Sequence, residues 1–422
     1  MKIIYLVHQF FPEFQAGTER FVYNTAYMTQ KSGHKVRVLT YSVAGISDPD
    51  RQTNGILTRD CYYNDVPVTA FHYRGEPSDL NYSLGGNAGL DFARGWLQEE
   101  APDLIHVGHA MRVNPFISAA AELGIPYIVT ATDFFLICPK VILSPNRDTV
   151  CSGPQNGAAC RQLCPELRSE FIDQRLKAGF DILKKAFAVV TPSHFAANML
   201  AKEVEGLNPW VNNHGIRQQQ LAPVQRVYQG GEPLTFGYLG NLAYHKGVHV
   251  LLKAFEGLPQ ANARLLIYGA GEPSYEKELR RLAGADARIE FKGAYSAVEL
   301  SGILEQIDVL VAPSVCYETY SLVVHEALLS NVPVIVSDLG GMTEKMVDGE
   351  NGFVFAPGNA DSLRQKLQIL IEDTTRINQF KLNIRLNTFV PTVEQEAFFY
   401  LQLYRLALEA KRGIISATES GI

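Results

Sequence analysis

The sequence predicts an α/β protein of two Rossmann-like domains, each a parallel sheet with helices on both faces. Three observations carry that expectation. Both halves alternate short β-branched runs with helical patterns, and glycine-bearing turns recur just after the strands. Between the halves, residues 208–233 form a Gln-rich, Gly-Gly-containing stretch with weak apolar periodicity, which reads as a linker. At 422 residues and 46% hydrophobic, the chain can fill two cores.

In the first half, strands are expected at 3–7, 35–40, 104–107, 127–130 and 188–191. The first gives way to a polar and aromatic loop carrying Gly17. A helix then runs from about Thr18, its N-cap, to Lys31, and Gly33 ends it. In the second half, strands are expected at 235–239, 264–268, 288–291, 309–312, 334–337 and 353–355. A last helix, 394–412, follows Pro391, and 413–422 read as a frayed tail. The expected domains are 1–210, with a cysteine-rich insert at about 138–165, and 211–390, with 391–422 returning toward the first. Open parallel sheets bind ligands beyond the carboxyl ends of their strands, so the two domains are expected to face one another across a cleft.

Net charge of −6 gives no electrostatic case for nucleic acid as a partner. The opening apolar run is only strand-length and meets His8 and Gln9 at once, without a cleavage site. No apolar stretch approaches the roughly 18 residues of a membrane span. A cytoplasmic protein is expected, with peripheral contact at the inner face of a membrane left open.

The segment Glu318-Thr-Tyr-Ser-Leu-Val-Val-His-Glu326 is the most informative. A helix starting near Ser321 puts Glu326 on its first turns and leaves Glu318 in the loop before it. The N–H groups between them then face outward at a helix N-terminus, a favourable place for phosphate. Acceptor side chains on both sides of an anion site suit a nucleotide sugar. Gly240-Asn241, after the second domain's first strand, permits close backbone approach, and Lys246 stands before a helix beginning near Val248. A lysine there reaches the same diphosphate as a point charge; a turn with an exposed lysine is the alternative. Tyr268-Gly269-Ala-Gly271 can border a nucleobase, and Ser337-Asp338-Leu-Gly340-Gly341 suggests backbone packed against a ligand. Both are also ordinary turn punctuation.

In the first domain, Gly17 with Glu19 is the candidate phosphate-approach loop. His106, His109 and Asp133 lie at strand ends, where polar groups are fair catalytic candidates and, as often, packing residues. Asp48-Pro-Asp50 reads as a solvated turn. Cys138, Cys151, Cys160 and Cys164 fall in a Gly/Pro/Asn-rich insert that cannot build its own core. Four thiolates suit a structural zinc ion, although the spacing matches no standard knuckle; free thiols are the other reading.

Together these motifs make the chain resemble a retaining glycosyltransferase of family 4 with the GT-B fold, over nearly its whole length. The most specific stretch runs from Gly240-x5-Lys246-Gly247 through Pro313-Ser314, Glu318-x7-Glu326 and Ser337-Asp338-x-Gly340-Gly341 to Asp348-Gly-x-x-Gly352. Thr130-Ala-Thr-Asp133-Phe-Phe-Leu-Ile-Cys138-Pro139, with the later cysteines, is similar to a bacterial subgroup carrying a cysteine-rich insert. The resemblance implies that Glu326 binds the nucleotide ribose and Glu318 the hydroxyls of the donor sugar. Backbone groups around Tyr320, Ser321, Leu322 and Val323, with Lys246, would stabilise the departing diphosphate. Gly17, Gly240, Asn241 and Gly269 complete the donor-binding set, and Lys246, Glu318, His109 and Asp133 the catalytic set.

The implied reaction moves a hexose, with retention and without a divalent metal, from a nucleotide sugar. A UDP-sugar comes first and a GDP-sugar second. The acceptor would be a glycan, a lipid-linked glycan or a small molecule, shaped by variable loops in 41–95 that carry Tyr62, Tyr63, Phe71, Tyr73 and Tyr82. Three departures matter: Asn241 stands where the family has arginine, Thr132 where relatives have histidine, and Gly108 where a second histidine is usual. They motivate an alternative, a catalytically weak nucleotide-sugar-binding protein that supports a partner enzyme.

Overall fold

The computed structural model describes residues 1–77, 80–84, 89–147, 149–221, 223–224, 226–229, 231–258 and 262–414. Of the expected tail, 415–422 lie outside the described residues. Two compact units emerge: Met1–Pro145, Cys151–Gly215 and Val393–Ile422 form the first, and Asn146–Val150 with Ile216–Thr392 the second. Among the described residues, no helix is long and apolar enough to cross a membrane.

The first unit is built on nine strands: β1 (Lys2–Val7), β2 (Lys35–Tyr41), β3 (Arg51–Thr53), β4 (Ile56–Tyr63), β5 (Val66–Tyr73), β6 (Leu104–Val107), β7 (Tyr127–Thr130), β8 (Ala188–Thr191) and β9 (Trp210–Val211). They lie in the order β3-β4-β5-β2-β1-β6-β7-β8-β9. All neighbours pair in parallel except β3 with β4 and β4 with β5. Six α-helices cross between or follow the strands: α1 (Gly17–Lys31), α2 (Leu90–Glu100), α3 (Asn114–Glu122), α4 (Ala158–Leu163), α5 (Ser169–Lys185) and α6 (His194–Glu203).

The stretch 41–95, expected as loops, instead contains the β3–β4–β5 meander. Two two-residue turns explain it: Asn54-Gly55 and Asn64-Asp65 both have positive φ at each position, as a hairpin whose turn matches strand twist requires. Tyr63, Phe71 and Tyr73 are strand residues on this meander; Phe71 and Tyr73 are buried, whereas Tyr62 is exposed. A second difference concerns the start of α1. Its N-cap is Ala16, in extended conformation, and the Ala16 N–H donates to Glu19 Oε2 at 2.8 Å. Thr18 lies inside the helix and bonds Thr132 Oγ1 at 2.8 Å, so its hydroxyl is spent on the neighbouring loop rather than on the cap.

The second unit holds six parallel strands: β10 (Leu234–Leu239), β11 (Ala263–Tyr268), β12 (Ile289–Gly293), β13 (Val309–Ala312), β14 (Val334–Ser337) and β15 (Gly352–Phe355). Their order is β12-β11-β10-β13-β14-β15. Its helices are α7 (Val248–Glu256), α8 (Pro273–Ala283), α9 (Leu300–Leu304), α10 (Leu322–Leu329), α11 (Ala360–Glu372) and α12 (Thr375–Asn387). Apolar clusters cover both faces of this sheet, one around Phe236, Leu251 and Phe255 and the other around Leu310, Val324 and Val334. That double burial explains why the strands read as near-continuous apolar runs.

The last helix, α13 (Val393–Lys411), belongs to the first unit. It is tied there by polar contacts inside an apolar core. Tyr404 Oη lies 3.1 Å from Tyr5 Oη and 2.6 Å from His106 Nδ1, while Tyr400 Oη bonds Thr130 Oγ1 at 2.9 Å. Glu396 accepts from the Gly215 N–H and pairs with His214, both at 2.8 Å. His106 is thus a packing residue, with Nε2 bonded to Thr130 Oγ1 at 2.8 Å and no exposed surface.

Burial lowers the His106 pKa to about 3. The unfolded chain takes up this proton near pH 6.5 and the folded chain does not until about pH 3, so stability falls as pH drops through that interval. Thermal melts are expected to show a declining Tm from about pH 6.5 downward, and His106→Gln is expected to flatten that slope. An unchanged slope in the variant would assign the acid sensitivity elsewhere.

Candidate active site

In an open sheet, the place where strand order reverses leaves a crevice at the carboxyl ends. In the second unit that reversal falls between β10 and β13. The loops leaving these strands carry Gly240 to Lys246 on one side and Pro313 to Glu318 on the other.

Lys246 ends a short 3-10 turn, Tyr244–Lys246. Its Nζ donates to Glu318 Oε1 at 2.7 Å, and Ser314 Oγ donates to the same oxygen at 2.7 Å. Oε2 of Glu318 takes part in neither bond. Burial works against the charge on both partners, yet each is held ionised by the other: Lys246 lies above its ordinary pKa and Glu318 below. An ammonium has three donors, so the contact to Glu318 leaves two for a further anion.

The backbone around the pair is locked. Gly247 has φ +73°, and a Cβ there would stand 1.8 Å from Pro313 O. The Val315 N–H donates to His245 O at 2.9 Å, and Ser337 Oγ donates to Ser314 O at 2.6 Å. Gly340, at φ +75°, brings its backbone against Glu318, whose carbonyl accepts from the Gly341 N–H at 2.7 Å. The two glycines of the β14 loop therefore serve to seat Glu318.

Helix α10 begins at Leu322, with Ser321 as N-cap at φ +67°. Tyr320 stacks on His325, rings 3.7 Å apart, and His325 Nδ1 bonds Ser321 O at 2.9 Å. These contacts hold a non-glycine residue in the left-handed region, which costs about 1–2 kcal/mol. The result is a fixed helix start whose first N–H groups, on Leu322 and Val323 among others, lack acceptors within the helix. Glu326 is 2% exposed and sits on the second turn.

Gly269 approaches Gly240 closely: a Cβ on Gly269 would meet Gly240 O at 1.8 Å, and the Gly240 N–H donates to Tyr268 O at 3.1 Å. Asn241 is exposed, and its carbonyl accepts from Tyr238 Oη at 2.7 Å. It borders a cavity of about 380 Å³ lined also by Tyr244, Gly271, Glu272, Tyr275 and Arg147. The Arg147 guanidinium lies 4.9 Å from the Tyr244 ring centroid. Sequence reasoning missed this cation beside Asn241, because nothing in the pattern ties residue 147 to the second unit. Ser314 was noticed only as part of a family motif; its hydroxyl on Glu318 is visible only in three dimensions.

In the first unit the order reverses at β1 and β6. His8 follows β1, His109 follows β6 and Asp133 follows β7. The Met111 N–H donates to His109 Nδ1 at 3.1 Å, which makes Nε2 the protonated nitrogen, donating to Asp133 Oδ2 at 2.8 Å. Asp133 Oδ1 accepts from the Phe135 N–H at 2.9 Å. Burial raises the Asp133 pKa, but His109 and these hydrogen bonds leave it below the ordinary value.

The His8 ring lies 4.0 Å from that of His109, and its Nε2 is 3.8 Å from Glu19 Oε1. Glu19 has no exposed surface, and burial raises its pKa. The structure thus adds His8 to the expected set of His109, Asp133 and Glu19, while Gly17 lies exposed at the first position of α1. Gly108 has a steric reason: a Cβ there would meet Val22 Cγ2 at 2.3 Å, so a histidine would require the Val22 side chain to give way.

Asp50 accepts from the Asp60 N–H at 2.7 Å in the β3–β4 region, away from either reversal point. Cys138, Cys151, Cys160 and Cys164 are all buried, reduced and lining one small cavity in the first unit.

Comparison with known proteins matches this architecture. Residues 16–204 fit a model of the glycosyl transferase 4-like domain, and residues 233–373 one of glycosyl transferases group 1. Together the two models cover most of the chain, and its fold is GT-B. Over 172 residues it is 30% identical to an uncharacterized glycosyltransferase of Methanocaldococcus jannaschii, spanning 40% of this chain and 44% of that protein. It is 29% identical over 390 residues to glycogen synthase of Mycobacterium tuberculosis, covering 88% of this chain and 86% of that one. Among solved GT-B structures, sucrose-phosphate synthase from Thermosynechococcus elongatus superposes with TM-score 0.70 at 19% identity, over 97% of this chain and 99% of that one. Anabaena HepE in complex with UDP and glucose gives TM-score 0.70 at 18% identity, over 96% and 99%. At these identities the two structures establish the GT-B fold.

Proposed function

We propose that this GT-B protein transfers a sugar, with retention of configuration, from a nucleoside diphosphate sugar to a hydroxyl of a glycan, lipid-linked or small-molecule acceptor. The observation that carries the reading is the Lys246–Glu318 pair beside the α10 N-terminus. In this reading the first-turn N–H groups of α10 and the two remaining donors of Lys246 bind the diphosphate. They stabilise the charge that grows on it as the sugar–phosphate bond breaks. Glu318 Oε2 accepts from the donor sugar's hydroxyls, and Glu326 accepts from the ribose. No divalent ion is required for charge stabilisation of this kind. The His109–Asp133 dyad in the first unit would orient the acceptor, with Nε2–H fixed by Asp133. Retention rests on the family resemblance. A UDP-sugar is the first donor to try, because HepE, a structural neighbour, is known with UDP and glucose.

Incubation with UDP-, GDP- and dTDP-sugars is expected to reveal tight binding of one donor, and Glu326→Ala is expected to weaken it by about 1.5–3 kcal/mol, the worth of a hydrogen bond to a charged group. Failure to bind any donor, or binding indifferent to Glu326→Ala, would overturn the reading. Binding without transfer to any acceptor would favour the second reading, a donor-binding protein supporting a partner, which the neutral Asn241 motivates.

A further inference from the structure

Two groups stand outside the sugar-transfer reading. The four cysteines of the insert line a cavity with room for about one water. Among the described residues, no three Cys, His, Asp or Glu side chains converge on a single ion, so the thiols carry nothing further. The other group is Arg112, in the first unit, three residues beyond His109.

Arg112 sits at φ +64°, a conformation that a long L side chain adopts only where its surroundings over-determine the backbone. Its guanidinium is half-buried and placed by three neighbours. Nε donates to Asn81 Oδ1 at 2.8 Å, Nη1 donates to His8 O at 3.3 Å, and the group lies 5.5 Å from the Tyr41 ring centroid. A guanidinium has five N–H donors. Two are used in these bonds, which leaves three, including both on Nη2.

The charge is also uncompensated. Among the described residues, no carboxylate forms an ion pair with Arg112. Glu76, whose charge it feels, is taken by Tyr41 Oη. Burial works against the guanidinium's charge, and a charge withdrawn from water is disfavoured unless something pairs with it. His8 does not share the positive charge. Burial, with His109 and Arg112 adding to it, holds the His8 pKa well below the usual value, so the ring is neutral. His8 Nδ1 is moreover buried without a hydrogen-bond partner among the described residues. The corner lies at the carboxyl ends of β1 and β6, where the strand order reverses and a ligand of this unit belongs. An oxyanion supplies what is missing, because phosphate and carboxylate oxygens match the spacing of guanidinium donors. A neutral hydroxyl would leave the charge unpaired.

We propose that Arg112 binds an anionic group of the acceptor, which is therefore a phosphorylated or carboxylated compound and not a neutral sugar. Calling the ligand the acceptor rests on the sugar-transfer reading; the anion site itself does not.

The test is calorimetric titration of wild type, Arg112→Gln and Arg112→Lys with inorganic phosphate, then with a hexose, its phosphate ester and the matching hexuronic acid. Lys246 offers a second anion site, so the readout is the difference between proteins. Wild type is expected to bind the anionic sugars at least about 10-fold more tightly than the neutral one, and Arg112→Gln to lose about 10- to 100-fold of that affinity and of the affinity for phosphate. Arg112→Lys should retain part of it. Whichever of the ester and the acid binds more tightly tells phosphate from carboxylate. Removing an unpaired charge should leave the Tm of unliganded Arg112→Gln equal to wild type or higher. Equal affinities for all three sugars, or anion binding indifferent to Arg112→Gln, would overturn the proposal. A lowered Tm with unchanged phosphate binding would make Arg112 a structural tie and overturn it too. Donor binding is read separately through Glu326→Ala. Protein that binds anions through Arg112 but no nucleotide sugar would defeat the transfer reading alone, and the reverse result would defeat the anion site alone.

Discussion

Lys246→Ala is expected to lower turnover with the best donor by about 100- to 1000-fold, the usual loss when one fixed donor is removed from a site of developing negative charge. The lysine is the cation seated directly against Glu318, because position 241 is Asn and offers no guanidinium. The loss should fall mainly on kcat, since charge on the diphosphate oxygen rises as the glycosidic bond breaks. The substitution also strips Glu318 of its ion-pair partner, leaving Ser314 as its remaining short contact. Lys246→Arg keeps the charge but replaces a compact ammonium with a planar fork, and partial activity is the expected result. Steady-state kinetics on both variants, with nucleoside diphosphate affinity measured in parallel, checks this. Full turnover in Lys246→Ala would remove the lysine from the chemistry.

The same pair sets a pH window. Glu318 is held below its ordinary pKa, so its contribution to stability is present above about pH 4.3 and is lost as pH falls through the lowered value. Lys246 is held above its ordinary value, so its contribution is present below about pH 10.4 and is lost as pH rises through the raised one. Both are partly solvated, which screens the effect. Across the neutral range the pair is ionised, and ordinary changes of pH there leave it intact.

The parallel strands were legible because their chemistry is local. Val309–Ala312 and Val334–Ser337 are apolar runs buried on both faces, and each ends in a turn of recognisable composition. Lys246 and Glu318 were legible as candidates for a similar reason: both follow strands, and sheet topology brings strand ends together. Their mutual bond was not, since 72 residues of sequence separate them and only the β10–β13 pairing makes them neighbours. The meander was missed although its signal was present. Asn54-Gly55 and Asn64-Asp65 are turn dipeptides between β-forming runs, but Arg59, Asp60 and Cys61 interrupt the alternation on the exposed end of β4. His8 was overlooked for a third reason. A histidine just past a strand looks like the start of a loop until β6 delivers His109 beside it.

On the proposed reading, backbone strain and function coincide at the α10 start, and Gly247 allows that link to be tested by substitution. Gly247→Ala pays twice over. At φ +73° an L-residue costs about 1–2 kcal/mol. The new Cβ would also stand 1.8 Å from Pro313 O and 2.8 Å from Pro313 C, both backbone atoms that cannot rotate aside. Relief requires the Pro313–Glu318 loop to part from the Tyr244–Lys246 turn, breaking the Val315 to His245 bond and drawing Glu318 from Lys246. Gly349 is the matched comparison, with φ +82° and nothing within 4 Å of its would-be Cβ. Gly349→Ala is expected to cost about 1–2 kcal/mol, from backbone conformation alone, and to leave turnover near wild type. Gly247→Ala is expected to cost at least about 3 kcal/mol and, where it folds, to lose turnover as Lys246→Ala does, because the pair has been pulled apart. Thermal melts and steady-state kinetics on the two variants separate the contributions. Equal losses in both would mean that strain, and not the packing of the two loops, governs the site.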